Sequence, residues 1–112
     1  MSKRNLGSVI DLVQRRTRQY LKNDNFDKIV VSFNNDITII DFYLDSVISD
    51  TELAHLGAKY NHIFADLGNS YVIHLLPVNT SYRIRGSQFT IWRKGAGFVG
   101  NPRLWNTKKF FR

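Results

Sequence analysis

Two strand-like segments on either side of a short polar turn constrain the fold of this chain more than any other feature. Residues 28–33 and Ile37–Leu44 are rich in β-branched and aromatic residues, which favour extended structure. Asn34-Asn35-Asp36 lies between them, and residues of this kind are common in tight turns. The pattern therefore predicts a β-hairpin, and the rest of the fold must cover its apolar residues.

Residues 8–22 show the 3.6-residue periodicity of an amphipathic helix. Ser8 is a suitable N-cap, and the Lys22-Asn23 pair lies where we expect the helix to end. The predicted apolar side consists of Val9, Val13, Thr17, Tyr20 and Leu21, and the opposite side of Asp11, Arg15, Arg18 and Lys22.

A second helix is predicted over residues 49–67, where apolar residues again recur with the helical period. Ser49 and Glu52 have the spacing of a capping box, and Gly68 supplies a stop in the left-handed backbone region. An alternative with a shorter helix stays open, in which residues 62–66 instead form a strand and pair with the segment after Gly68.

Three more strands follow, over residues 71–76, 82–85 and 88–92, with a tight turn at Gly86-Ser87. From Arg93 onward glycine and proline interrupt regular structure, so residues 93–112 are expected to be a basic, aromatic loop or tail. The element order α-β-β-α-β-β-β predicts a single α+β domain over residues 1–112. We expect two helices on one face of an antiparallel sheet of about five strands.

The distribution of charge is strongly asymmetric along the chain. Every acidic residue lies at or before Asp66, and the 46 residues that follow carry eight cations, so the formal net charge of +7 arises entirely in this C-terminal part. The same part holds eight of the 15 aromatic residues. Cations interleaved with flat side chains are typical of a surface that binds phosphates and unstacked bases.

The sequence therefore predicts a nucleic-acid-binding surface. Alternation along the predicted strands directs Arg83, Arg85 and Trp92 outward, and an outward Trp beside cations would be a stacking platform. The candidate binding residues are Arg83, Arg85, Trp92, Arg93, Lys94, Arg103, Trp105, Lys108 and Lys109, extended by Arg15, Arg18 and Lys22 of the first helix.

The function that these features favour is non-catalytic binding of single-stranded or structured nucleic acid. One alternative is an interaction or inhibitor protein whose basic face docks on an acidic surface of a nucleic-acid-handling protein. A further alternative is a small metal-free ribonuclease, in which His74 would act with Tyr82, Arg83 and Arg85. We expect the protein not to be an enzyme, and we predict no catalytic residues.

Other functional classes are not indicated. The chain has no cysteine, which excludes disulfides and thiolate zinc sites, and no metal site or cofactor is predicted. Neither a leader peptide nor an apolar run long enough to span a bilayer is present, so we expect a cytoplasmic protein without a membrane span. Asp41, between two apolar residues, needs a hydrogen-bond partner if it is buried.

Overall fold

The computed structural model describes residues 6–22, 25–80 and 87–98, which form a single compact α+β domain. Within these ranges no helix is both long enough and apolar enough to cross a membrane. The helices are α1 (Leu6–Tyr20), α2 (Asp50–Ile63) and a 3₁₀ helix (Ala65–Ser70), and the strands are β1 (Phe26–Asn34), β2 (Ile37–Leu44), β3 (Tyr71–Leu76), β4 (Ser87–Arg93) and β5 (Gly97–Phe98). The predicted fold class and element order are confirmed.

The five strands form one sheet in the order β3-β2-β1-β4-β5. The predicted hairpin of β1 and β2 is present, and its turn places Asn35 at a φ of +58°, a conformation that asparagine tolerates. One pair departs from the antiparallel expectation, because β3 runs parallel to β2. The reason is that α2 lies between these two strands and returns the chain to the end at which β2 began.

Both helices pack on the same face of the sheet, which we call the near face. The ring of Tyr60 in α2 is fully buried there, with its centroid 4.5 Å from that of Phe42 and 5.6 Å from that of Phe26. Helix α1 adds Ile10 and Val13 to the same cluster. Residues that alternate with these on the strands belong to the opposite face, which we call the far face, where Val30, Tyr43 and Leu76 form a second buried cluster.

The first helix differs from its prediction at both ends. It begins at Leu6, so Ser8 lies within its first turn and is not the N-cap, and it ends at Tyr20. Its buried side is formed by Ile10, Val13, Gln14 and Thr17, whereas Tyr20 is 42% exposed. The buried side is therefore rotated from the predicted one towards Ile10 and Gln14.

The second helix begins as predicted and ends earlier. The Ser49 hydroxyl accepts a hydrogen bond from the Glu52 backbone N–H at 3.1 Å, and the Glu52 carboxylate accepts one from the Ser49 N–H, which confirms the capping box. The α-helix ends at Ile63 and the chain continues as 3₁₀ helix, so the alternative strand at residues 62–66 is wrong. Gly68 has the expected positive φ, at +78°, but it lies within the 3₁₀ helix, so the predicted stop of the α-helix at Gly68 is wrong.

Regular structure near the C-terminus extends further than predicted. The sheet continues beyond the predicted strand at residues 88–92, because β4 includes Arg93 and β5 adds two residues that pair with its end. The predicted strand at residues 82–85, and the expected tail from residue 99 onward, lie outside the described residues.

Candidate nucleic-acid interface

A β-bulge in β4 decides which way the candidate stacking residue faces. Ile29 pairs with Trp92, whereas the next residue of β1, Val30, pairs with Thr90, so Ile91 is an extra residue opposite β1. Simple alternation predicted that Trp92 points outward on the side of Thr90. The bulge instead places Trp92 opposite Ile29 on the near face, where it is half-buried and packs against the core. The prediction of an outward Trp92 is therefore wrong.

The bulge is tied to the first helix by a buried amide. A bulge interrupts the hydrogen-bond ladder, so its backbone groups need other partners. The side-chain amide of Gln14, which is only 3% exposed, donates to the Ile91 carbonyl oxygen at 3.4 Å. Sequence reasoning missed Gln14, although a polar residue between the apolar positions Val13 and Thr17 was a signal for a buried polar contact.

A tight turn joins β4 to β5 and carries Lys94. The Ala96 N–H donates to the Arg93 carbonyl oxygen at 3.1 Å, and the flanking Gly95 and Gly97 have φ values of +85° and +77°. Only glycine adopts such angles readily, so these two glycines have a structural role in the turn. Residues 94–98, which were expected to be part of a loop or tail, thus form a turn and the short strand β5, a short hairpin with β4.

The hairpin brings the first helix and the candidate site together. Phe98 of β5 pairs with Trp92, and the guanidinium carbon of Arg18 lies 4.8 Å from the centroid of the Phe98 ring. This is the geometry of a cation–π contact. Arg18 therefore contacts Phe98, whose register partner is Trp92.

Two cations of the far face lie where the beginning of β1 pairs with the end of β4. Lys28 pairs in register with Arg93, and the ammonium of Lys28 is 4.8 Å from the centroid of the Tyr43 ring. Arg93 is exposed, whereas Lys28 is half-buried. Lys28 was not among the predicted site residues, because its place beside Arg93 depends on strand pairing across 65 residues of sequence.

In the same region, the ammonium group of Lys94 already has a carboxylate partner. Its ammonium donates to Asp45 at 2.8 Å, and its backbone N–H donates to the Asp27 carbonyl oxygen at 2.9 Å. The hydrogen bond from Lys94 lowers the pKa of Asp45 and raises that of Lys94. These residues line a crevice of about 340 Å³ whose other walls are Lys28, Tyr43, Leu44, Pro77, Val78, Asn79 and Thr80.

Of the remaining cations in α1 and just after it, two donate to carboxylates and one is exposed to solvent. Arg15 donates to Asp11 at 2.9 Å within the helix. Arg16, which was not predicted to have a role, donates to both carboxylate oxygens of Asp66 and to the Ile63 carbonyl oxygen, which joins α1 to the end of α2. The hydrogen bond from Arg16 lowers the pKa of Asp66. Lys22 follows the helix and is exposed.

The described residues are electrically balanced, with eight cations and eight acidic residues. The whole formal charge of +7 therefore belongs to residues 1–5, 23–24, 81–86 and 99–112. The predicted site residues outside the described ranges are Arg83, Arg85, Arg103, Trp105, Lys108 and Lys109, together with Tyr82 of the alternative ribonuclease set.

A histidine and a buried carboxylate meet on the far face, away from the hairpin. Asp41 of β2 pairs in register with His74 of β3, and the Nδ1 atom of His74 lies 3.0 Å from Oδ1 of Asp41. The Asp41 side chain is fully buried and that of His74 is 37% exposed. The expectation that a buried Asp41 requires a hydrogen-bond partner is thus confirmed, and the partner is His74.

Comparison with known proteins adds no relative, since no protein-family model, no curated protein and no solved structure matches this chain.

Proposed function

We propose that this protein binds nucleic acid, single-stranded or structured, through contacts to phosphates supported by aromatic stacking. The observation that carries the proposal is the separation of charge. The described fold is neutral, whereas the surplus of seven positive charges lies in short segments next to its strands and at its N-terminus. A surplus of this size is suited to a polyanion.

Most of this surplus belongs to two segments that the chain joins to neighbouring strands. Residues 81–86 join directly to the first residue of β4, and residues 99–112 join directly to the last residue of β5. Because β4 and β5 pair with each other, both cation-rich segments are attached to the same two strands. Those strands themselves carry Arg93, next to Lys28 in the neighbouring strand.

The described cations differ in how well they suit phosphate binding. Arg93 is exposed and has Lys28 beside it, and a guanidinium can contact a phosphate through two parallel hydrogen bonds. Lys94 and Arg15 already have carboxylate partners, so a phosphate must compete with Asp45 or Asp11 for them. Arg93 is therefore the described residue that we expect to contribute most.

We expect Trp92 to contribute less to base stacking than the sequence predicted. Trp92 is half-buried against the core and pairs in register with Phe98, so only part of its ring is accessible to a base. Trp105 lies outside the described residues and is the second candidate. Binding of this kind needs no catalytic step, and a cytoplasmic location is part of the same proposal.

The test is a titration of fluorescently labelled random oligonucleotides at two salt concentrations. If about six phosphates are contacted, affinity is expected to fall by roughly a thousandfold between about 50 and 200 mM salt. Arg93→Ala should weaken binding and reduce the slope of log affinity against log salt by about one. Lys59→Ala removes an equal charge from α2, which packs on the near face, and should change neither quantity.

The same titration separates the proposal from its alternative. Absence of binding at low salt would refute the proposal, and an acidic protein surface would then be the partner to test. Binding that loses as much affinity in Lys59→Ala as in Arg93→Ala would show that the charge acts without a defined site.

A further inference from the structure

The pair of Asp41 and His74 is not explained by the stability of the fold. Asp41 lies in the middle of β2, a central strand, at a position where its neighbours on the chain are Ile40 and Phe42. A carboxylate in such a place is costly to bury even when it is hydrogen-bonded, and an apolar residue of similar size is often at least as stable. A buried carboxylate that contacts a part-exposed histidine at such a place is a candidate for function.

The contact with Asp41 involves only one of the two imidazole nitrogens, Nδ1 at 3.0 Å. When Asp41 is a carboxylate it can only accept a hydrogen bond, and the proton of a neutral His74 is then on Nδ1. The lone pair is then on Nε2. This is the relation between a general base and the group that orients it.

Asp41 and His74 differ in burial, as a general base and the residue that orients it should. Asp41 is shielded completely, which keeps water from competing for its oxygen, whereas the His74 side chain is 37% exposed and within reach of a ligand. Asp41 is thus a positioning residue, and His74 is the group that can touch a substrate.

Cations on the same face suit a phosphodiester. Lys28 and Arg93 share the far face with His74 by strand register. Lys28 belongs to a strand two positions away in the sheet, which puts its Cα roughly 12 Å from that of His74. A nucleic acid strand held by these cations would therefore cross the sheet within reach of the imidazole.

We propose that His74, oriented by Asp41, cleaves RNA without a metal ion by removing the proton of a ribose 2′-hydroxyl. The 2′-oxygen attacks the adjacent phosphorus as Nε2 takes its proton, and the bond from phosphorus to the 5′-oxygen breaks. The leaving 5′-oxygen, on the opposite side of phosphorus, takes a proton from water, and the imidazolium returns its proton to the solvent. The products are a 2′,3′-cyclic phosphate and a 5′-hydroxyl. The inference rests on the proposed binding of nucleic acid and adds a reaction to it.

The experiment incubates the full chain with a labelled single-stranded oligoribonucleotide in EDTA and measures both binding and cleavage. We expect wild type to release a 2′,3′-cyclic phosphate. His74→Gln should cleave at least about a hundredfold more slowly while its affinity stays within about twofold. His62→Gln, which removes an exposed histidine of α2 and is purified in the same way, should cleave like wild type and so exclude a contaminating nuclease.

Two further measurements keep the test independent of the folding of the histidine variant. An oligonucleotide with 2′-O-methyl groups lacks the nucleophile, so wild type should bind it and leave it intact. In Asp41→Asn the carboxylate is gone, so the ring ¹⁵N shifts of His74 should show loss of the Nδ1–H tautomer together with a loss of cleavage.

Each of the remaining outcomes would overturn the inference. RNA that is bound and stays intact with wild type would overturn the inference and leave the proposed binding in place. Cleavage of the methylated strand, or equal cleavage by His74→Gln, would overturn it as well. Absence of binding to RNA and to DNA alike would refute the proposed function and the inference with it.

Discussion

Replacing Phe42 by leucine tests the packing that holds the helices on the sheet. Phe42 is fully buried, and its ring lies 4.5 Å from Tyr60 and 5.0 Å from Phe26 between centroids. Truncation to alanine at such a site costs about 3–5 kcal/mol, which is much of the total stability of about 5–15 kcal/mol of a domain. Leucine keeps most of the apolar volume, so we expect Phe42→Leu to lower the free energy of unfolding by roughly 1–2 kcal/mol.

A double-mutant cycle isolates the contact between the two rings. Because aromatic pairs contribute about 0.5–1.5 kcal/mol beyond the area they bury, Phe42→Leu and Tyr60→Leu should be non-additive by that amount. Urea unfolding followed by far-UV circular dichroism measures all four proteins. Phe33→Leu is the control, because Phe33 is a half-buried residue on the near face whose ring lies 6.1 Å from that of Phe89.

Two outcomes would refute this reasoning. The first is a cost for Phe42→Leu no larger than that for Phe33→Leu, which would mean that α2 is not packed on this part of the sheet. The second is additivity of Phe42→Leu and Tyr60→Leu to within about 0.3 kcal/mol, which would mean that the two rings do not interact.

Two further predictions concern single contacts. Ser49→Ala removes the hydroxyl of the capping box and should cost about 1 kcal/mol in urea unfolding, whereas Ser49→Asp should cost much less; equal losses would argue against the cap. The hydrogen bonds from Lys94 and Arg16 lower the pKa values of Asp45 and Asp66 in the folded state. Both carboxylates therefore stabilise the fold above about pH 4, and this stability is lost as the pH falls through their lowered folded pKa values. Acid titrations should show a weaker loss of stability when both are replaced by asparagine, and an unchanged acid transition would contradict the ion pairs.

Features that depend on neighbouring residues were predictable from the sequence. The bounds of β2 and β3 and the turn at Asn35 were as predicted, because strand propensity and turn chemistry act over a few residues. The Ser49 capping box was also predictable, since its two partners are three residues apart. The helix start at Ser8 was wrong because several residues near it suit a first turn, and packing of Ile10 decided the side that is buried.

The candidate site was predictable only in part, and the reason is register. Arg93 was a candidate from charge alone, and its role in binding stays a prediction. The reversal of Trp92 did not follow from the sequence, because one extra residue opposite Ile29 moves every later side chain of β4 to the other face. Lys28 was missed for the same reason, since it becomes part of the site only through its pairing with Arg93.

By itself the sequence determined the fold class, the order of elements and a cationic C-terminal part, because composition and periodicity are local properties of the chain. Only the tertiary structure decided that β3 runs parallel to β2, that Asp41 meets His74, and that Gln14 satisfies the bulged carbonyl of Ile91. These contacts join residues 33 and 77 positions apart. Partners so distant are brought together by strand pairing and by the burial of the helices. The free energy of both depends on residues from several segments, so it cannot be read from any one of them.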